Sequence, residues 1–181
     1  MLVYPCMFHV WVTKTVSHFC GSNLQLARFK ESTTDACPCC GTSEESAAHI
    51  TRCMNPGFTE VFVESVSLFI EWLHETHMQE DLISCIESYL LSRGDKPMVA
   101  IASHLPRYAS LARDVDALGW ECFLEGRIPT SLVTLQCAFL RRSESFWKIR
   151  TWSSHCVQYL LNITHRQWLY RNAHIHIRSM A

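Results

Sequence analysis

The sequence predicts a mainly α protein, in which a small N-terminal turn-helix module rich in cysteine and histidine precedes a helical bundle. Three observations carry this expectation. Apolar residues recur at three- and four-residue spacings through most of the chain beyond Phe58. Glycine and proline are scarce, six of each in 181 residues, which argues against a many-turned all-β fold. Cysteine and histidine are concentrated between residues 37 and 53, where the apolar periodicity is weakest. With 48% hydrophobic and 18% charged residues, the chain has the material for a packed core.

The elements follow in order. Phe8 to Phe19 is apolar, with Lys14 and His18 set into it, and reads as a short helix or a strand before Gly21-Ser22-Asn23 breaks it. Leu24 to Lys30 is short and leads into the loop Ser32-Thr33-Thr34-Asp35. After the Cys/His cluster, Asn55-Pro56-Gly57 reads as a turn. From Phe58, the residues Val61, Phe62, Phe69, Ile70 and Leu73 share one helical face, with Glu60, Glu64, Glu71 and Glu75 between them. A second helix is expected over Gln79–Leu91, ended by the Ser92–Pro97 stop. A third runs from Met98 to about Asp116, with a possible break at Pro106. Leu118 to Arg127 is a loop or a short helix. Pro129-Thr130-Ser131 opens a helix to about Ser143, and a long last helix is expected from Ser145 to about His176, marked by Trp147, Trp152, Cys156, Tyr159, Leu160, Ile163, Trp168 and Tyr170. The expected domains are residues 1–57, the Cys/His module, and residues 58–181, the helical part.

The cluster reads Cys37-Pro38-Cys39-Cys40-Gly41, then His49 and Cys53, a C-x2-C-x8-H-x3-C spacing. Two thiolates two residues apart chelate one ion from a tight turn, and Gly41 supplies the backbone freedom the turn needs. His49 and Cys53 are four apart and share a helix face. Thr42 with Glu45 matches a capping box that would start this helix just after the turn. Cys37, Cys40, His49 and Cys53 are therefore the expected ligands of one structural Zn²⁺, which would contribute on the order of 10 kcal/mol to folding the module. A Cys37–Cys53 disulfide would leave Cys40 and His49 unexplained, and Cys39 fits a ligand turn poorly. The other six cysteines are scattered and read as small buried hydrophobes. His155, His165, His174 and His176 make a weak case for a second metal, because His174 and His176 are badly spaced for one ion on a helix.

Cys-Pro-x-Cys-Gly, the pair Glu44-Glu45, His49 and Cys53 together resemble the zinc-binding module downstream of the polymerase in reverse transcriptases of non-LTR retrotransposons. The lead-in from Val12-Thr13-Lys14 to Phe19 and Gly21 is similar to that of such modules. Trp168-Leu169-Tyr170-Arg171-Asn172 resembles the Trp-x-x-Arg-Asn motif in these elements' tails. These stretches cover roughly a third of the chain. The resemblance implies a tail fragment of such an element, or a reading frame derived from one. The sequence has no Tyr-x-Asp-Asp and no other carboxylate constellation able to hold the two magnesium ions of a polymerase, so no enzymatic activity is expected.

Charge is distributed unevenly. Residues 1–90 hold four basic and eleven acidic residues, whereas residues 127–181 hold eight basic residues and one acid, Glu144. Arg141, Arg142, Lys148, Arg150, Arg166 and Arg171 are the expected nucleic-acid contacts, with Arg178 beyond them, and they are interleaved with aromatics that could stack on unpaired bases. Two competing readings stand beside this one: the tryptophans fill a core, with Arg171-Asn172 a structural pair, or the basic tail packs onto the chain's own acidic helices. No small-molecule substrate is expected. No apolar stretch reaches the roughly 18 residues of a membrane span, and the N-terminus lacks a signal-peptide pattern, so the expected location is intracellular.

Overall fold

A computed structural model describes residues 6–17, 19, 21–142 and 148–179, with the side chains of 6, 7, 16 and 176–179 outside that set. Among the described residues there are ten α-helices and one 3₁₀ turn, and no strand. The helices are α1 (Cys6–Val16), α2 (Asn23–Arg28), α3 (Ala47–Arg52), α4 (Pro56–Glu75), α5 (Glu80–Leu91), α6 (Met98–Ile101), α7 (Ala109–Leu118), α8 (Trp120–Leu124), α9 (Thr130–Arg142) and α10 (Ile149–Ser179). The 3₁₀ turn, Pro106–Tyr108, lies where the proline interrupts the third expected helix. None of these helices is long and apolar enough to cross a membrane.

The chain divides into two compact units. One comprises residues Met1–Phe62 with Thr164–Ala181, and the other Val63–Ile163. This differs from the linear division expected at residue 57, because the last residues of the chain group with the Cys/His region. A buried ion pair between residues 126 positions apart is among the contacts that join these segments.

The first unit holds α1, α2 and α3, the opening of α4 and the last part of α10. Its core joins Cys37, Ile50, Cys53 and Phe58, with Cys39 and Tyr170 packed against them. Asn55 starts α4 rather than ending the cluster with a free turn. Its carbonyl accepts from Thr59 N–H at 2.9 Å and its side-chain oxygen from Gly57 N–H at 3.0 Å, while Pro56 occupies the first helical position, where it has no amide to satisfy.

The second unit is a helical bundle whose buried positions follow the periodicity of the sequence. In α5, Leu82, Ile83, Cys85, Ile86, Tyr89 and Leu90 are buried. In α4, Phe69, Ile70 and Leu73 are buried as expected, with Glu64, Glu71 and Glu75 exposed. α6 is capped from across the bundle: the Asp116 carboxylate accepts from the Met98 and Val99 amides at 2.6 and 2.9 Å. α7 packs against α6, α8 and α9. Trp152 is fully buried, stacks on Trp72 at 5.8 Å, and donates its indole N–H to Thr76 Oγ1 at 3.2 Å. The tryptophan thus fills the core. Trp147 and Glu144 lie outside the described residues.

Candidate metal centre and the basic residues

The four expected ligands converge. Sγ of Cys37, Cys40 and Cys53 and a ring nitrogen of His49 all lie within 4.8 Å of one another, and no other such group occurs among the described residues. Cys37 Sγ and Cys53 Sγ are 4.0 Å apart, and Cys40 Sγ is 3.3 Å from His49 Nε2. Tetrahedral coordination with ordinary bond lengths requires about 3.8 Å between two sulfurs and about 3.6 Å between sulfur and nitrogen. A disulfide would need about 2 Å between the Cys37 and Cys53 sulfurs. The donor set therefore fits one metal ion.

Local sequence explains the convergence. Cys37 and Cys40 sit on a tight turn closed by Gly41 N–H to Cys37 O at 2.9 Å and Cys37 N–H to Thr42 O at 2.8 Å. Gly41 has φ +76°, a left-handed backbone that favours glycine. The helix after the turn starts later than the capping-box reading expects. Thr42 is not its cap. Ser46 is, with its hydroxyl accepting from His49 N–H at 3.1 Å, and α3 spans only six residues. The spacing argument survives, because His49 and Cys53 still stand four apart, with Cys53 as the C-cap.

Burial pushes the Cys37 thiol up to about 12 and raises Cys53 as well. Burial also opposes ionisation of Cys40, but hydrogen bonds with Thr42 and the neighbouring thiols outweigh it and bring that thiol to about 6. A dication held there would offset the burial penalty on all three thiolates.

Glu45 is fully buried and belongs to a different construction from the expected capping box. Its carboxylate accepts from Arg171 Nε at 2.8 Å, from an Arg171 terminal nitrogen at 2.5 Å, and from the Asn23 backbone N–H at 2.7 Å. Arg171 also donates to the side-chain oxygens of Asn23 and Asn172, at 3.0 and 3.3 Å. The Asn23 side chain in turn donates to Ala36 O at 2.7 Å, next to Cys37. This network ties α2, the metal-ligand loop and the end of α10 into one unit. Bidentate pairing of planar guanidinium with carboxylate is the strongest geometry available to such ions.

Arg171 was expected to contact nucleic acid. The structure corrects this: its side chain is only 3% exposed and its charge is spent on Glu45. It is the structural pair with Asn172 that formed the competing reading. The other expected contacts are placed differently. Arg141, Arg142, Lys148 and Arg150 are exposed, at the end of α9 and the start of α10 in the second unit, whereas Arg166 is half-buried in the first. The side chains of Arg178 and His176 lie outside the described residues. Of the scattered cysteines, Cys85 and Cys156 are buried, Cys122 and Cys137 are half-buried, and the side chains of Cys6 and Cys20 are outside the described set.

Sequence reasoning missed the role of Glu45 and of Gln167, which is fully buried and donates to Thr51 O at 3.4 Å. A signal was present. Among the described residues of α10, buried Trp152, Cys156, Leu160, Ile163, Gln167 and Arg171 follow one another in three- and four-residue steps, with Thr164 buried beside Ile163. Hydrophobicity hides the last two, but spacing includes them. No family model, no curated protein and no solved structure matches the chain.

Proposed function

We propose that the chain is a non-catalytic domain organised by one structural Zn²⁺, of non-LTR retrotransposon reverse-transcriptase origin, that contacts RNA or DNA. The observation that carries the zinc assignment is the convergence of three cysteine sulfurs and one imidazole within 4.8 Å. Thiolate and imidazole ligands in a four-donor set suit zinc, and four protein ligands leave no open position for water or substrate. Such a site stabilises a fold and needs reduced thiols, as in an intracellular setting.

The proposed origin gains support from the Glu45–Arg171 pair. The stretches that carry the resemblance lie far apart in sequence, yet one acid of the Glu44-Glu45 pair holds the arginine of the Trp-x-x-Arg-Asn stretch. The nucleic-acid reading is supported by Arg141, Arg142, Lys148 and Arg150, four exposed cations within ten residues of chain. A second reading has its own observation. Because Arg171 is used internally, part of the basic tail is structural, which favours a protein-interaction or purely structural remnant in which zinc only stabilises the fold.

Two measurements test the proposal. Metal analysis of the purified chain should find about one zinc per molecule, lost in a Cys40→Ser/His49→Ala variant together with ordered structure in the first unit. Filter binding to RNA and DNA at two salt concentrations should show salt-weakened binding. Zinc without salt-sensitive binding would leave the second reading in place.

A further inference from the structure

The two most exposed phenylalanines among the described residues stand together. Phe19 and Phe29 are each 58% exposed, and their rings stack with centroids 6.4 Å apart and planes 22° from parallel. Two exposed aromatic rings in contact with each other and open to water contribute little to a core, and neither belongs to the buried cluster of this unit.

The local sequence builds the presentation. α2 ends at Phe29, its C-cap. Lys30 then turns left-handed at φ 61°, with Lys30 N–H donating to Ala27 O at 3.0 Å and Glu31 N–H to Leu26 O at 2.9 Å. This pairing is a Schellman stop, so the chain reverses and leaves Phe29 outside. Phe19 is held by its backbone N–H, which donates to Lys14 O at 2.6 Å at the end of α1.

Cations stand near the two phenylalanines in sequence. Arg28 and Lys30 flank Phe29 and are exposed, as is Lys14, with Glu31 the single exposed acid in the same stretch. The charge of the whole unit agrees. Residues 1–62 and 164–181 contain seven basic and five acidic residues, a net of +2, whereas residues 63–163 contain nine and twelve, a net of −3. The unit that holds the metal ligands is thus the positive one, although the N-terminal half of the sequence is acidic.

We propose that Phe19 and Phe29 form a stacking platform for the bases of an unpaired polynucleotide strand, with Lys14, Arg28 and Lys30 contacting its phosphates. The proposal rests on the nucleic-acid reading above and adds a surface and a preference for single strands. Every base has a face that can lie on an aromatic ring, whereas paired bases in a duplex keep those faces in their own stack. The cations supply the sequence-independent attraction to phosphate.

The test uses the zinc-loaded full chain and fluorescence polarisation with labelled oligo(U), oligo(dT) and a DNA duplex of equal length. Single strands should bind more tightly than the duplex. Phe19→Ala/Phe29→Ala should weaken single-strand binding roughly tenfold. Phe19→Leu/Phe29→Leu, which keeps apolar bulk and guards against misfolding, should weaken it similarly, with zinc content and melting unchanged. Lys14→Gln/Arg28→Gln/Lys30→Gln should lower the log–log salt slope by about two. Wild-type affinity in the folded leucine pair, or a preference for duplex, overturns the platform while sparing nucleic-acid binding through the α9–α10 cations. If the unaltered chain binds none of the three probes, both the platform and the broader nucleic-acid reading fall.

Discussion

Replacing Arg171 by Met tests the account of the first unit most directly. The substitution keeps an unbranched stem of similar reach and removes the guanidinium. Glu45 would then be a buried carboxylate left with one of its three donors, the Asn23 amide. Two charge-assisted hydrogen bonds at about 1.5–3 kcal/mol each give about 3–6 kcal/mol, in line with the roughly 3–5 kcal/mol measured when one partner of a buried pair is removed. The first unit has 80 residues, 62 and 18 in its two segments, and a domain of that size has a stability of about 4–12 kcal/mol. The loss is therefore a large fraction of what holds it together. Hydrogen exchange across a urea series resolves the unit from the rest of the chain, and should show its amides exchanging at much lower denaturant in Arg171→Met. Glu45→Met should behave alike, whereas the double Glu45→Met/Arg171→Met variant should recover much of the loss, because no charge is then stranded. The cost should persist at about 1 M salt, since the pair is shielded from solvent. A coupling energy in the double-mutant cycle below about 1 kcal/mol, or a cost that disappears in salt, would refute the burial argument.

Three further outcomes follow from single side chains. His165 is enclosed by Phe8, Trp11 and Trp168, with ring centroids at 5.0, 4.7 and 6.4 Å, and burial lowers its affinity for a proton below the ordinary value of 6.5. The unfolded chain binds that proton more readily, so folding loses stability as pH falls through the unfolded value toward the folded one. Melting at about pH 7.5 and about pH 5 should show a larger acid loss in the unaltered chain than in His165→Phe. Trp152→Ala, which empties a fully buried site and removes the indole donor to Thr76 Oγ1, should cost the second unit about 3–5 kcal/mol in denaturant titration. Gly126→Ala should cost that unit about 1–3 kcal/mol, because φ is +81° and the new methyl group would meet Val157 Cγ1 at 2.8 Å.

Local and periodic information in the sequence was enough for the mainly α class and for the Cys/His group that converges. Apolar spacing marked α4 and α5 because one helix face must leave water, and that requirement is written into every turn, while Pro129-Thr130-Ser131 marked the start of α9. The C-x2-C turn and the His49/Cys53 pair were readable for a similar reason: each half of the ligand set is a short-range geometry that its own few residues impose. The start of α3 was misplaced because Thr42 and Ser46 are both plausible caps. The choice between them turns on where Glu45 goes, and Glu45 goes to a residue 126 positions away.

The ends of the first unit therefore could not be found from composition. Read along the chain, Arg171 is one more cation in a basic tail. In the folded protein, a pairing between distant residues moves it from the surface to the interior and brings the C-terminal segment to the metal-ligand loop. Grouping residues 164–181 with residues 1–62 also makes the unit that holds the Cys/His cluster net positive. By itself the sequence determined a helical chain with one Cys₃His group able to hold a metal ion, because both depend on contacts within a few turns. Only the tertiary structure decided which charges are spent inside and which remain for a partner, because burying an ion depends on a counter-ion that proximity in sequence does not supply.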